Sequence, residues 1–244
     1  MNNDDRQGWI VSRREILALL GAAAANMLIG CSFRQSGGAG SDAASLSCVA
    51  TPEQTEGPYF VDERLHRSDI RVDPSDGSMQ AGLPLTLEIR VSSISRGGCK
   101  PLVGASVDIW HCDAQGVYSD ATDPHFRTIG KKFLRGYQVT DANGSVQFRT
   151  IYPGWYEGRT VHIHFKVRTA PKSARTYEFT SQFYFEDSIT DRVHAQRPYV
   201  KKGQRTLKNE GDGIFRDGGS QLVLSLVENV QGYAARFDVG LQMA

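Results

Sequence analysis

Residues 83–91, with the sequence LPLTLEIRV, carry an apolar side chain at every second position. A period of two is typical of a strand with one buried face, because successive strand side chains point to opposite faces of a sheet. This stretch therefore predicts a half-buried β-strand, and with it a fold built from sheets.

The same alternation recurs along the chain. The turn at 141–144 contains Asn143-Gly144, a pair that supplies the positive φ angles of a tight turn, and so predicts a hairpin between its flanking strands. Because no stretch after residue 30 keeps a helical period for more than about three turns, we expect one all-β domain, an antiparallel β-sandwich with long loops. The longest irregular stretch, 187–219, is expected to be partly functional. The further strands are expected at 105–110, 136–140, 145–150, 161–167, 176–185, 222–227 and 237–243.

The charge balance excludes some partners. The 244 residues include 28 Lys and Arg against 27 Asp and Glu, a net charge of +1, and no long basic block offers a surface for nucleic acid. Apolar residues make up 40% of the chain, which is enough for a packed core and too much for an intrinsically disordered protein. We expect a globular protein with no nucleic-acid partner.

The first thirty residues have the pattern of an export signal. A polar start leads to Arg13-Arg14, an apolar run and the tetrapeptide Leu28-Ile29-Gly30-Cys31. The run is shorter than the roughly 20 residues of a transmembrane helix. The arginine pair resembles a twin-arginine signal, and the tetrapeptide resembles a bacterial lipobox in which Cys31 is lipidated. We expect residues 1–30 to be a signal peptide, 31–47 a flexible tether and 48–244 the globular domain of an exported, periplasmic or cell-envelope lipoprotein that meets the membrane only through this anchor.

Three cysteines remain in the expected domain, namely Cys48, Cys99 and Cys112. An oxidising exterior favours one disulfide and one leftover thiol. The sequence does not choose the pair.

Residues 162–164 read His-Ile-His within the strand expected at 161–167. Because the apolar residues take one face of that strand, His162 and His164 share the other, with Cα atoms about 6.5–7 Å apart. Two imidazoles on one face can bind a metal ion, and they can equally be solvent-exposed strand residues. The pair alone leaves both readings open.

The other histidines carry less information. Trp110 is expected in the core, and the adjacent His111 need not be a ligand. No spacing distinguishes His66, His125 or His194 from surface histidines.

Four separated motifs accompany the histidine pair. In chain order they are Trp110-His111-x-x-x-Gln115-Gly116-x-Tyr118, Arg135-Gly136, Thr150-Ile151-x-Pro153-Gly154-x-Tyr156 and Arg159-x-x-His162-Ile163-His164-Phe165, preceded by Gly57-Pro58-Tyr59-Phe60. Their order and spacing resemble the catalytic core of the intradiol ring-cleavage dioxygenases, the family of protocatechuate 3,4-dioxygenase and catechol 1,2-dioxygenase.

This resemblance implies a mononuclear, non-haem Fe(III) bound by Tyr118, Tyr156, His162 and His164. The set is chemically coherent, because tyrosinate is a hard, anionic oxygen donor that favours ferric iron, and imidazoles complete the coordination. A free phenol has a pKa near 10, so the ion must supply the bias that deprotonates it.

The resemblance further implies that O2 cleaves a catechol-type substrate between its two hydroxylated carbons to give a muconate-type diacid. Tyr156 is implied to yield its place to the substrate and to accept one of its protons. Arg159 is implied to stabilise negative charge on the attacked ring. Gln182 matches a glutamine that lines the family's site, and Tyr59 is expected in the wall of the substrate pocket.

Two other classes stay open. A non-catalytic, exported β-sandwich binding module would account for the fold, the tether and the aromatic residues, but not for the ordered set of four ligands. Another metalloenzyme on the same scaffold, such as a zinc or copper hydrolase or oxidase, is the second, although two tyrosine ligands argue against zinc. Neither the identity of the catechol nor the oligomeric state follows from the sequence.

Overall fold

A computed structural model describes residues 49–169 and 177–243. Within these ranges the chain is mostly strand, as the alternating pattern predicts, and the expected all-β class is confirmed. The strands are β1 Pro84–Ser95, β2 Gly98–Pro101, β3 Ser106–Trp110, β4 Thr122–Asp123, β5 Phe126–Arg127, β6 Arg135–Val139, β7 Ser145–Ile151, β8 His162–Arg168, β9 Glu178–Tyr184, β10 Leu226–Asn229 and β11 Gly232–Gln242.

The first sheet is organised around β1, the strand that the alternating stretch predicts. Leu85, Leu87, Ile89 and Val91 are at most 1% exposed, whereas the residues between them are partly exposed. Along one edge β1 pairs with β11, and along the other it pairs first with β7 and then with β2. The pairing with β11 is parallel, an exception to the antiparallel arrangement expected.

The second sheet has the order β6-β3-β8-β9, and each of its pairings is antiparallel. The strand β8 lies between β3 and β9, and six of its seven residues are buried. Its core-facing residues Ile163, Phe165 and Val167 join the apolar residues of β1 in one cluster. The two sheets therefore share a hydrophobic core, which leaves the opposite face of β8 for other chemistry.

The hairpin expected around Asn143-Gly144 is wrong in its pairing. The turn exists, with the Asp141 N–H donating to the Ser145 carbonyl at 3.0 Å, but β6 pairs with β3 while β7 pairs with β1. The Thr140 N–H donates to Ala105 on the second-sheet side, and the Val91 N–H donates to Gly144 on the first-sheet side. Backbone bonds to different sheets separate the arms, so the turn carries the chain across the sandwich.

The stretch at 187–219 is less irregular than expected. Its helices are α1 Asp187–His194 and α2 Gly213–Arg216, with 3₁₀ turns at Tyr199–Lys202, Asn209–Gly211 and, at its end, Gly219–Leu222. That last turn occupies the start of the strand expected at 222–227, which begins instead at Leu226.

The structure excludes some of the disulfide pairings that the sequence leaves open. Cys99 is disulfide-bonded, and Cys112 is a buried free thiol. Pairings that use Cys112 are therefore excluded.

The N-terminal segments lie outside the described residues. These are the expected signal peptide and tether, with Cys31 and Cys48, so the predicted domain boundaries stay predictions. In the part of the chain that the structure describes, no helix has the length and apolar character needed to cross a membrane.

Candidate metal centre

The histidine strand β8 places a row of side chains across three strands. In the sheet register, Trp110 on β3 lies opposite His164, and His164 lies opposite Gln182 on β9. Side chains at paired positions share a face, so all three point away from the apolar core. Each is at most 1% exposed, because loops cover this face of the sheet. The sequence pattern identifies the shared face of the histidines, but it does not show that the face is buried.

The two histidines converge. The Nε2 atoms of His162 and His164 are 3.0 Å apart. The Nδ1–H of His162 donates to the Thr160 carbonyl at 2.6 Å, which in a neutral ring leaves a lone pair on Nε2. This is the tautomer that a metal ligand requires.

Both predicted tyrosines approach the same atom. The hydroxyl of Tyr156 lies 3.3 Å and that of Tyr118 3.5 Å from Nε2 of His162. Tyr118 follows β3 in a loop, and Tyr156 lies in the loop before β8, so residues distant in sequence meet at one point. The structure thus brings together all four predicted ligands.

The electrostatics of the cluster favour neutral groups. Burial, followed by the charge of Arg159, lowers the pKa of His162 to about 3, and burial together with His162 lowers the pKa of His164 well below its ordinary value. Burial raises the pKa of Tyr118 well above 10 and that of Tyr156 to about 12, although nearby Arg159 opposes the latter shift. Near pH 7 the imidazole lone pairs are free to bind, whereas the phenols need a cation to lose their protons.

Arg159 is partly buried, with its side chain 14% exposed, and is held from two sides. Its Nε donates to Oδ2 of Asp212 at 2.8 Å, and its Nη2 donates to Oε1 of Gln182 at 2.6 Å. Burial lowers the pKa of Arg159, but Tyr156 and Asp212 outweigh this effect and the net shift is upward. A permanent positive charge is therefore fixed beside Tyr156.

Tyr59 covers the cluster on the cavity side. Its ring stacks on that of Tyr118 with centroids 4.3 Å apart, and its hydroxyl donates to Asp123 at 2.7 Å. A cavity of about 640 Å³ begins at Tyr59 and Tyr156. Other lining residues include Gly116, Phe126, Trp155, Glu157 and Lys202.

The four-residue cluster fits a single metal ion. With metal–ligand bonds of about 2.0–2.1 Å, neighbouring donors around one ion lie roughly 3 Å apart, and the donor atoms around His162 lie 3.0–3.5 Å from its Nε2. Two phenols and two imidazoles form a donor set suited to a hard, oxidised transition metal. Elsewhere in the described ranges, no three His, Cys, Asp or Glu side chains are grouped as metal ligands.

Two other buried histidines, His111 and His194, do not belong to the cluster. His111 is buried, and both its ring nitrogens are engaged, with the Cys112 carbonyl and the Thr150 hydroxyl, so it is not available to a metal. His194, which its spacing does not distinguish from a surface histidine, is buried: it is 7% exposed, stacks on Tyr199 and donates to the Pro153 carbonyl. Its burial depends on the 3₁₀ turn at 199–202, which its own sequence context does not reveal.

Sequence reasoning missed two buried charges beside the cluster. Asp212 belongs to the stretch at 187–219 that was expected to be partly functional, but no motif identifies it. Arg135 belongs to the Arg135-Gly136 motif, which carries no predicted role, and its guanidinium donates to the backbone oxygens of Tyr59 and Ser119. It thereby joins the segment that carries Tyr59 to the residue after Tyr118.

The fold and the cluster define a β-sandwich protein with a candidate metal centre beneath an open cavity. Comparison with known proteins gives its family. A family model described as Dioxygenase matches residues 55–210, more than half of the chain. The chain belongs to the intradiol ring-cleavage dioxygenase family.

Individual relatives agree with this assignment. An intradiol ring-cleavage dioxygenase structure from Tetranychus urticae is 31% identical, with a TM-score of 0.66 over 80% of this chain and 94% of that one. The dioxygenase domain of a dioxygenase–carbohydrate-binding fusion from Streptomyces sp. SirexAA-E is 32% identical, with a TM-score of 0.56 over 80% of this chain and all of that domain. Catechol 1,2-dioxygenase 1 of Acinetobacter lwoffii is 30% identical over 162 residues, 56% of this chain. The match spans 46% of that curated relative.

Proposed function

We propose that the protein is an Fe(III)-dependent intradiol dioxygenase that cleaves a catechol-type substrate between its two hydroxylated carbons. Both atoms of O2 enter the product, a muconate-type diacid, so that substrate plus O2 accounts for every atom. The observation that carries the proposal is the convergence of two phenols and an imidazole on Nε2 of His162, beneath a cavity that opens at Tyr156.

Tyr118, Tyr156, His162 and His164 would hold the iron, which supplies the Lewis acidity and redox chemistry of the reaction. Tyr156 alone of these four lines the cavity, so its phenolate oxygen is placed to accept a proton from a catechol hydroxyl. Arg159 holds a positive charge beside Tyr156, where negative charge develops on the substrate. Gln182 orients Arg159, and Tyr59 forms the wall against which the aromatic ring packs.

The decisive experiment measures metal content, oxygen uptake and products on one preparation. We expect one iron per chain, a visible tyrosinate-to-iron absorption band, and a catechol-derived diacid that carries two ¹⁸O atoms after reaction under ¹⁸O2. An extradiol aldehyde product would refute the proposed regiochemistry. Stoichiometric zinc or copper without oxygen uptake would favour the other metalloenzyme, and a folded protein that binds no metal would favour the binding module.

We also propose that the protein is exported and anchored through Cys31. The support is the sequence pattern of residues 1–31. Fractionation of bacterial cells tests it: Cys31→Ala should release the exported protein from the membrane fraction, and replacement of Arg13 and Arg14 by lysine should leave it inside the cell. Membrane association that survives the cysteine variant would contradict the lipid anchor.

A further inference from the structure

One carboxylate beside the candidate metal centre, that of Asp212, accepts four hydrogen bonds. Asp212 is the N-cap of α2, and its side chain is 1% exposed. Its Oδ1 accepts from the N–H groups of Ile214 and Phe215 at 2.8 and 3.3 Å. Its Oδ2 accepts from Nε of Arg159 and from the N–H of Thr160, both at 2.8 Å. One oxygen serves the helix and the other serves the loop that leads into β8.

The contact with Thr160 reaches a predicted metal ligand. The carbonyl of Thr160 accepts the Nδ1–H of His162 at 2.6 Å, and the hydroxyl of Thr160 donates to Oδ1 of Asn209 at 2.7 Å. Residues 209–212 thus grip Thr160 through both its backbone and its side chain. Because the Thr160 carbonyl orients the imidazole, a shift of this residue would turn His162.

The contact with Arg159 fixes the direction of its charge. Asp212 holds one edge of the guanidinium and Gln182 holds another. Directional hydrogen bonds at two edges of a planar group restrict its rotation more than a single contact does. A charge aimed in advance at a reacting group stabilises it without reorganisation during the reaction.

We propose that Asp212 is a positioning residue that holds both Arg159 and His162 in their working orientations. This inference rests on the proposed function, because it assigns those two residues their roles there. Asp212 lies outside the motifs that carry the family resemblance, and outside residues 55–210, which match the family model. Asp212 touches neither the substrate cavity nor the cluster of four donors directly, so it acts through Arg159 and through Thr160.

Two substitutions separate this role from capping of α2. Asn and Ser are both good N-cap residues, so Asp212→Asn and Asp212→Ser can keep the helix capped. Neither side chain offers a second acceptor oxygen for Arg159 and Thr160. Glu210→Gln is the matched control, because it removes the same charge from an exposed position two residues away.

We expect both Asp212 variants to lower kcat by about tenfold or more and to speed the loss of iron to a chelator by a similar factor, as is usual when a supporting partner of a metal ligand is removed. KM should change less than about twofold, since the cavity walls are intact. The melting temperature should stay within a few degrees of wild type, and Glu210→Gln should match wild type in every readout. Wild-type kcat and iron release in the variants, or a kcat loss that simply follows the loss of melting temperature, would overturn the inference.

A double-mutant cycle tests the route through Arg159. If Asp212 acts through the guanidinium, Asp212→Asn should lower kcat much less in an Arg159→Ala background than in wild type. Additive losses would contradict that route.

Hydrogen exchange of the Thr160 amide needs neither iron nor substrate. It should accelerate in Asp212→Asn and not in Glu210→Gln. Unchanged exchange in Asp212→Asn would overturn the positioning role, even if the wild-type protein does not cleave catechol. If the wild-type protein is inactive but exchange is accelerated in Asp212→Asn, the result counts against the proposed function alone.

Discussion

The indole of Trp110 lies flat against the imidazole of His164, with ring centroids 4.9 Å apart and planes within 5° of parallel. The sheet register causes this contact, because the two residues are directly paired between β3 and β8. His162 has a hydrogen bond from Nδ1 to hold its orientation, but Nδ1 of His164 is buried without a partner among the described residues. Stacking on Trp110 therefore takes the place of a hydrogen bond in orienting His164.

Trp110→Leu should weaken iron binding by about tenfold or more, because His164 loses the flat surface that fixes its ring. Trp110→Phe should retain more affinity, since it keeps an aromatic face and the Trp110 Nε1 has no hydrogen-bond partner within the described ranges. Competition with a chelator measures both. Equal affinities for the Phe and Leu variants would show that stacking does not orient His164.

Tyr118→Phe removes one phenol oxygen while keeping the ring that stacks on Tyr59. We expect loss of iron or of the visible charge-transfer band, with little change in folding, because the packing is preserved. Iron content and the absorption spectrum report the result. Tyr137→Phe, on β6, removes a hydroxyl of the same kind as a control, and a band that disappeared equally there would contradict the assignment of Tyr118.

Arg159→Ala should keep the iron and slow turnover by about a hundredfold, the usual effect of losing one preorganised charge. Steady-state kinetics on protein of known iron content measures it. Arg159→Lys should recover little, because an ammonium group cannot bridge Asp212 and Gln182 as the planar guanidinium does. Full activity in the alanine variant would remove Arg159 from the mechanism.

The metal-free protein should lose stability as pH falls from about 6.5 toward 4. Burial lowers the pKa of His162 to about 3 and that of His111 to about 4, whereas histidines in the unfolded chain titrate near 6.5. Within that window the unfolded chain binds protons that the folded chain does not, so each such histidine costs about 1.4 kcal/mol per pH unit. Above pH 6.5 this stability is fully present. Urea unfolding at several pH values tests the prediction, and stability that did not change between pH 7 and pH 5 would contradict it.

Gly116 and Gly158 have nearly the same backbone conformation, with φ of 80° and 85°, so the effects of substituting them can be compared. A Cβ at Gly158 meets nothing within 4 Å, while a Cβ at Gly116 would overlap the backbone oxygen of Trp155 and lie 2.8 Å from Nζ of Lys202. Gly158→Ala should cost about 1–2 kcal/mol from backbone strain alone. Gly116→Ala should cost clearly more and should also raise KM, because Gly116 and Trp155 both line the cavity. Equal losses of unfolding free energy would show that the Trp155 loop gives way.

The sequence determined those features that depend on local periodicity. Alternation along residues 83–91 predicted β1, and the pattern around Ile163 correctly placed His162 and His164 on one face, because a strand sends every second side chain to the same side. The ordered motifs named four donors, and the structure gathers three of them around Nε2 of the fourth, His162.

Tertiary structure decided whatever depends on contacts between distant segments. The Asn143-Gly144 turn joins two sheets and not two paired strands, because backbone partners from Ala105 and Val91 hold its arms apart. The burial of the histidine face, the stacking of Trp110 on His164 and the grip of Asp212 on Arg159 each join residues tens of positions apart. Local pattern has no information about such pairs, since register and loop packing are set by the energy of the whole folded chain.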